Sequence, residues 1–313
     1  MKKYISALLL SAIMPVMAMA QGTSPEASSA SVAMPFTRIS MDAHSASMAG
    51  ATLTNTSSVA FASFLNPASV AFSEKKFHVG ATYQMYQPSL SKSNIAALGL
   101  AMNFNKKLGV TAGFSLNASP AYDVLDQSGA VSGTFAPKDI QANVGVSYRV
   151  IKMLSVGANV KYLSSSVAEG HSYGAISSDV FAMLKLGGLK VAAGVASLGS
   201  NVKSETGASF GLPTSAKAGA GYTLSFGNNK IEAEVNADYY FYGGFAASVG
   251  GAYSFNNMLT ARAGYHLSSN GILPSHASVG AGVNLAGIKL DLAYLLGSAA
   301  MNNTLLATVS FAF

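Results

Sequence analysis

The chain has 313 residues, of which 50% are hydrophobic and 10% charged, with a formal net charge of +6 and neither cysteine nor tryptophan. A soluble domain carries about 25% charged residues. The composition therefore excludes a polar disordered chain, and zero cysteine excludes a disulfide framework, a thiolate metal site and a cysteine nucleophile. A helical membrane protein is excluded too, because no run of about 18 apolar residues occurs past the N-terminus.

Lys2 and Lys3 precede an apolar stretch over residues 5–17, and Ala18-Met19-Ala20 is a small-x-small cleavage site. This predicts a signal peptide over 1–20, with Gln21 as the mature start. The run is short for a membrane anchor, and no cysteine follows to make a lipoprotein. Loss of Lys2 and Lys3 lowers the formal charge from +6 to +4. No basic cluster suits nucleic acid, so none is expected as a partner.

Residues 21–34 are rich in Ser, Ala and Pro and predict a mobile periplasmic lead. Residues 36–72 do not alternate. Phe61, Phe64, Leu65, Val70 and Phe72 make them too apolar for a solvated tail, so the stretch predicts a compact plug within a barrel formed by the rest of the chain. In Asn66-Pro67-Ala68, Pro67 fixes φ and favours a set turn. The chain thus divides into a signal peptide at 1–20, a lead and plug at 21–72 and a barrel at 73–313.

From Phe77 onward hydrophobicity alternates with period two, the period of a strand. Ile140, Ala142, Val144, Val146, Tyr148 and Val150 alternate with Gln141, Asn143, Gly145, Ser147 and Arg149. The same pattern marks segments at 77–86, 94–104, 108–118, 139–150, 154–165, 175–186, 189–199, 214–226, 230–241, 244–255, 259–268, 276–285, 288–296 and 303–313. These fourteen make an even number of roughly ten-residue strands, as an outer-membrane barrel requires. Tight turns near 106–107, 151–153, 187–188, 227–229, 256–258 and 286–287 alternate with longer links at 119–138, 166–174, 200–213, 269–275 and 297–302. Short periplasmic turns and longer extracellular loops fit that pattern, with both chain ends periplasmic.

In this register every strand charge falls on the row opposite the apolar one: Arg149, Lys161, Asp179, Lys185, Lys190, Lys217, Glu232, Glu234, Asp238, Arg262, Lys289 and Asp291. A Lys or Arg facing lipid at mid-membrane costs about 2–4 kcal/mol. A soluble β-sandwich also alternates, but its polar faces should carry many more charges. The reading is an all-β, fourteen-stranded antiparallel transmembrane barrel whose partner is the outer-membrane lipid bilayer. Tyr162, Tyr239, Phe241 and Tyr265 sit where one aromatic girdle belongs, and Tyr148, Tyr222, Phe226, Tyr253 and Phe255 where the other does. The final strand ends on Phe311 and Phe313, which resembles the signal read by the barrel assembly machinery.

Mixed signs in the lumen predict salt-bridged filling. Lys217 and Asp238 should face each other across the hairpin closed at 227–229. Arg262 lies two strands from Glu234, and Gly250 between them leaves room to meet. Enzyme chemistry has little support. His266 and His276, with Ser268 nearby, are the one cluster to consider, and two polar rim residues are the plainer reading. No phosphate loop, dinucleotide fingerprint or metal-ligand spacing appears, so no cofactor is expected.

The stretch Phe36-Thr37-Arg38-Ile39-Ser40-Met41-Asp42-Ala43-His44-Ser45-Ala46-Ser47-Met48-Ala49-Gly50 resembles the opening of the PorV/PorQ family, relatives of the FadL fatty-acid channels found in Bacteroidota. That opening reads Asp-Ala-Arg, small residues, then Met-Gly-Gly; Asp42, Met48 and Gly50 match, while His44 and Ala49 depart. Asn66-Pro67-Ala68 matches the family's Asn-Pro-Ala. The resemblance implies a fourteen-stranded FadL-like barrel with an N-terminal plug, serving type IX secretion by binding the C-terminal domains of cargo. Two functions are expected as alternatives. One is a non-enzymatic secretion component that engages secretion-system proteins or cargo through loops 119–138 and 200–213, the first made apolar by Ala121, Tyr122, Val124, Leu125, Val131 and Phe135. The other is a channel for small hydrophobic molecules, whose apolar path would start at lumen-facing Phe181 and Met183.

Overall fold

The computed structural model describes residues 32–87, 91–205, 207–269, 273–297 and 301–313. The predicted signal peptide and most of the predicted lead lie outside them. The strands are β1 (Phe77–Tyr86), β2 (Ser93–Phe104), β3 (Leu108–Ala118), β4 (Tyr122–Leu125), β5 (Val131–Phe135), β6 (Lys138–Ile151), β7 (Leu154–Ala168), β8 (His171–Leu186) and β9 (Leu189–Gly199). They continue as β10 (Val202–Lys203), β11 (Ser209–Phe210), β12 (Ser215–Phe226), β13 (Asn229–Tyr240), β14 (Phe245–Phe255), β15 (Leu259–Ser268), β16 (His276–Leu285), β17 (Ile288–Leu296) and β18 (Thr304–Ala312). Fourteen form one closed antiparallel barrel, and β4–β5 and β10–β11 are separate two-stranded hairpins. The barrel closes where β1 pairs with β18, with Thr82 opposite Thr308 and His78 opposite Ala312. Among the described residues no helix is long and apolar enough to cross a membrane.

The alternation sets the faces. Val144, Val160, Ile176 and Val235 point outward and are more than half exposed, whereas their neighbours Asn143, Lys161, Ser177 and Glu234 are buried inside. Lys138, at the first position of β6, is the one exposed charge among the described barrel strands. The remaining strand charges face the interior, as a lipid-facing surface demands. Exposed aromatics gather near the two ends: Tyr83, Tyr162, Phe241, Phe245 and Tyr265 towards the loop end, and Phe104, Tyr148, Tyr222, Tyr253 and Phe255 towards the turn end.

Two connections differ from the sequence reading. The link at 166–174 is no loop, because β7 and β8 continue as a ladder up to the Ala168–His171 pair and leave only Glu169 and Gly170 to turn. Gly170 supplies the φ of +74° this turn needs. The serines beyond the apolar row, Ser166 and Ser172, still pair and hydrogen-bond each other at 2.8 Å, so loss of hydrophobic alternation did not mean loss of the ladder.

The second difference concerns the lead. Val32 forms a parallel bridge with Gly211 at the loop end, and Met34 and Phe36 are buried with Leu163, Ala175, Val202 and Leu212. Residues 32–34 therefore lie at the end opposite the turns and the C-terminus. From there the chain passes inward through a short helix α1 (Ala43–Ser47) and 3-10 turns at Pro35–Arg38, Ala62–Phe64 and Pro67–Phe72 before entering β1.

Candidate functional site

Residues 41–73 carry little regular structure, and most are buried against the inward row. Their backbone groups need partners, since irregular backbone at membrane depth is tolerated only where protein satisfies it. The inward Asn and Ser side chains supply them. Asn159 donates to the Ser63 carbonyl at 2.7 Å, Ser155 to Ala68 at 2.7 Å, Asn236 to Gly50 at 2.8 Å and Ser278 to Ser47 at 2.9 Å. Asn103 donates to both Val70 and Ser73. The uncharged polar row is thus a lattice of donors for the N-terminal segment.

The matched family residues each have a local task. Asp42 caps α1 by accepting the Ser45 N–H at 2.9 Å. Met48 packs against Gly250 and Gly264, where any Cβ would come within 3 Å of it. Gly50 adopts φ +80°. Ala49 adopts φ +53°, so the alanine that stands in place of the family's glycine carries left-handed strain of about 1–2 kcal/mol. Asn66 accepts from Ala68 N–H at 3.0 Å and donates to the Leu53 carbonyl at 2.8 Å. Pro67 begins the next 3-10 turn, and Ala68 is fully buried beside Gly157. His44 is buried and hydrogen-bonded to Asn55. Burial pushes the Asp42 carboxyl up to about 6, while the bonds from Ser45 pull it down.

Of the charged pairs anticipated, Lys217 and Asp238 meet at 2.7 Å between β12 and β13. Arg262 does not meet Glu234. It turns the other way and binds Asp291 of β17 at 2.7 Å. The cause is who fills each glycine gap. Met48 occupies the space over Gly250, while Gly282 leaves an open path to Asp291. Glu234 instead accepts the Thr54 hydroxyl at 2.8 Å and the Thr54 N–H, with Lys190 at 4.0 Å. Lys161 and Asp179 form a further buried pair at 2.6 Å that sequence reasoning placed in the lumen without pairing. Arg149 lies over the Phe72 ring and donates to the Ala71 carbonyl. Glu232 pairs with Lys230 at 2.8 Å.

Phe181 and Met183 face inward but are fully buried with Leu53, Ala68 and Phe72, so the segment covers the start of the supposed apolar path. Towards the loop end, a cavity of about 90 Å³ is bordered by Lys161, Asp179, Lys217, Asp238 and both rim histidines. His266 and His276 face each other with ring centroids 5.2 Å apart. His266 bonds Ser248 at 2.8 Å, and His276 donates to the Pro274 carbonyl. Among the described residues no group of three or more His, Asp or Glu is arranged to hold a metal.

At the loop end the β4–β5 hairpin forms a two-stranded sheet separate from the barrel sheet. Leu125 is 59% exposed and Val131 60%, with Tyr122 also exposed and Val124 and Phe135 half-buried. The Tyr122 and Phe135 rings pack at 5.9 Å, and the Tyr122 hydroxyl donates to the Val167 carbonyl at 3.1 Å, which ties the hairpin to β7. Asp126 accepts the Ser128 and Ala130 N–H groups and stiffens the tip. At the other end Phe313 stacks on Phe77 at 5.0 Å and on Phe311 at 5.2 Å, beside the closing seam.

A closed antiparallel barrel with an apolar outer belt, a polar interior and an irregular N-terminal segment packed inside defines an outer-membrane β-barrel with an occupied lumen. Three solved structures share the architecture across 87% of this chain and 97% of their own. They are the monoaromatic hydrocarbon channel CymD (TM-score 0.61, 13% identity), the Ralstonia pickettii toluene transporter TbuX (0.59, 10%) and the P. putida toluene transporter TodX (0.58, 15%). At such identities the likeness is one of fold. The family model of the type IX secretion system protein PorV matches residues 23–240, and the chain belongs to the PorV family. No curated protein sequence matches it significantly.

Proposed function

We propose that this protein is a non-enzymatic type IX secretion component that binds secreted cargo at the cell surface through its loop-end hairpin and hands it on. The loop end is extracellular in this reading, as in other bacterial outer-membrane barrels, and the turns are periplasmic. One observation carries it. The β4–β5 hairpin exposes Leu125 and Val131 beside Asp123 and Asp126. Charges of that kind belong in water, and large apolar side chains held out in water beside them mark a protein contact. Residues 36–72 act as the plug, which leaves the loops as the working surface. Membership of the PorV family supports the secretion role. The barrel assembly machinery reads the strand ending at Phe311 and Phe313, and the organism is one of the Bacteroidota.

The second reading is a channel for small hydrophobic molecules. It draws on the fold shared with the hydrocarbon channels and toluene transporters. It is the weaker one, because the segment covers Phe181 and Met183. Deleting residues 122–134 separates the two. The secretion reading expects a folded barrel in the outer membrane and loss of cargo from the cell surface. Unchanged cargo together with lost uptake of hydrophobic molecules would favour the channel.

A further inference from the structure

At the turn end the lumen opens into a vestibule of about 900 Å³, near the top of the range for ligand pockets. Its lining is polar and basic, with Lys75, Lys185, Lys190, Lys230 and Lys289 against only Glu74 and Glu232. Internal pairing leaves a cationic surplus. Lys230 is taken by Glu232, and Lys190 stands 4.0 Å from Glu234. Lys75, Lys185 and Lys289 form no ion pair among the described residues, and the Lys289 ammonium has only the Ser57 carbonyl at 3.0 Å.

The placement of these cations specifies the shape of a ligand. Lys185 is on β8 and Lys289 on β17, which lie seven steps apart around the fourteen-strand ring and so face each other from opposite walls. A single small anion cannot touch both, whereas an extended polyanion can. An acyl chain is a poor fit, because Phe72 and Ala312 are the only apolar side chains among the described lining residues.

We infer that the vestibule is a docking site for an acidic, extended peptide segment of a partner protein. Concave basic walls of low dielectric focus the field on such a chain and make its binding strongly dependent on salt. The vestibule is separate from the cargo-binding hairpin, and binding measured in detergent does not depend on the direction of insertion.

The test uses the full-length protein in an uncharged detergent with fluorescein-labelled hexaglutamate and hexaglutamine peptides, read by fluorescence anisotropy. Hexaglutamate should bind and hexaglutamine should not, with affinity falling at least tenfold between 50 and 300 mM salt, as the Debye length shortens and the attraction is screened. The double variant Lys185→Gln/Lys289→Gln, verified as folded by heat-modified gel mobility, should bind at least tenfold more weakly, and Lys138→Gln at the far end should bind like the parent. Equal binding of the two peptides, an unaffected double variant, or full competition by inorganic phosphate at concentrations similar to the peptide's would overturn the inference.

Discussion

The carbonyl oxygen of Met48 lies where a side chain at position 264 would begin. A Cβ built on Gly264 stands 2.7 Å from it, and one on Gly250 stands 2.8 Å from both that oxygen and the Met48 Cβ. Two glycines on adjacent strands thus form a seat for one turn of the N-terminal segment. Gly264→Val should therefore dislodge the segment while leaving the strand ladder intact, because valine suits a strand. Conductance in planar bilayers is the measurement. The parent should be closed and the variant should show open events; a closed variant with normal heat-modified mobility would mean that the seat is not needed.

Arg262 and Asp291 are both nearly buried, so removing one leaves the other uncompensated. Arg262→Ala should cost about 3–5 kcal/mol, and Arg262→Met with Asp291→Leu should cost much less. Urea unfolding in lipid vesicles, followed by circular dichroism, compares them. Equal losses for the single and the double variant would show that the pair contributes through its volume and not its charge.

Asp42 gives the docked segment a pH dependence with a definite sign. Its carboxyl titrates near 6 when docked, against an ordinary value of 3.8 when released. The docked form therefore holds the proton more tightly. Docking is strongest below about pH 4, weakens as the pH rises towards 6 and is level above that, with a span of at most about 3 kcal/mol. Asp42→Asn keeps the acceptor for the Ser45 N–H and should flatten the profile. Because the chain has no cysteine, Ser58→Cys offers a unique spin-label site. Its mobile fraction should rise from pH 4.5 to 7 in the parent and stay constant with Asp42→Asn; a flat profile in the parent contradicts the assignment.

The barrel was legible in the sequence because lipid acts on every second residue. Val160 or Ile231 cannot move to the inward row without sending a charge such as Lys161 or Glu232 into the bilayer. Strand ends were less so. Ser166 and Ser172 pair beyond the apolar belt, where no solvent contrast marks them. The partner of Arg262 could not be read at all, since it depended on whether Gly250 or Gly282 stayed empty, and Met48 decided that. The path of residues 32–73 was hidden for a similar reason. It is fixed by single hydrogen bonds from Asn and Ser side chains some 30 to 230 residues away, such as Asn103 to Ser73 and Ser278 to Ser47. Such pairs leave no periodicity. The turn-end vestibule was out of reach too, because Lys185 and Lys289 come to face each other only when the sheet closes.

In the proposed function the protein works through the β4–β5 hairpin and not through its lumen. Photocrosslinking in living cells from a benzoylphenylalanine at position 125, compared with one at lumen-facing position 181, addresses it most directly. A covalent adduct between position 125 and secreted cargo, absent from position 181, is the predicted result. Cargo captured from position 181 and not from 125 would contradict the account.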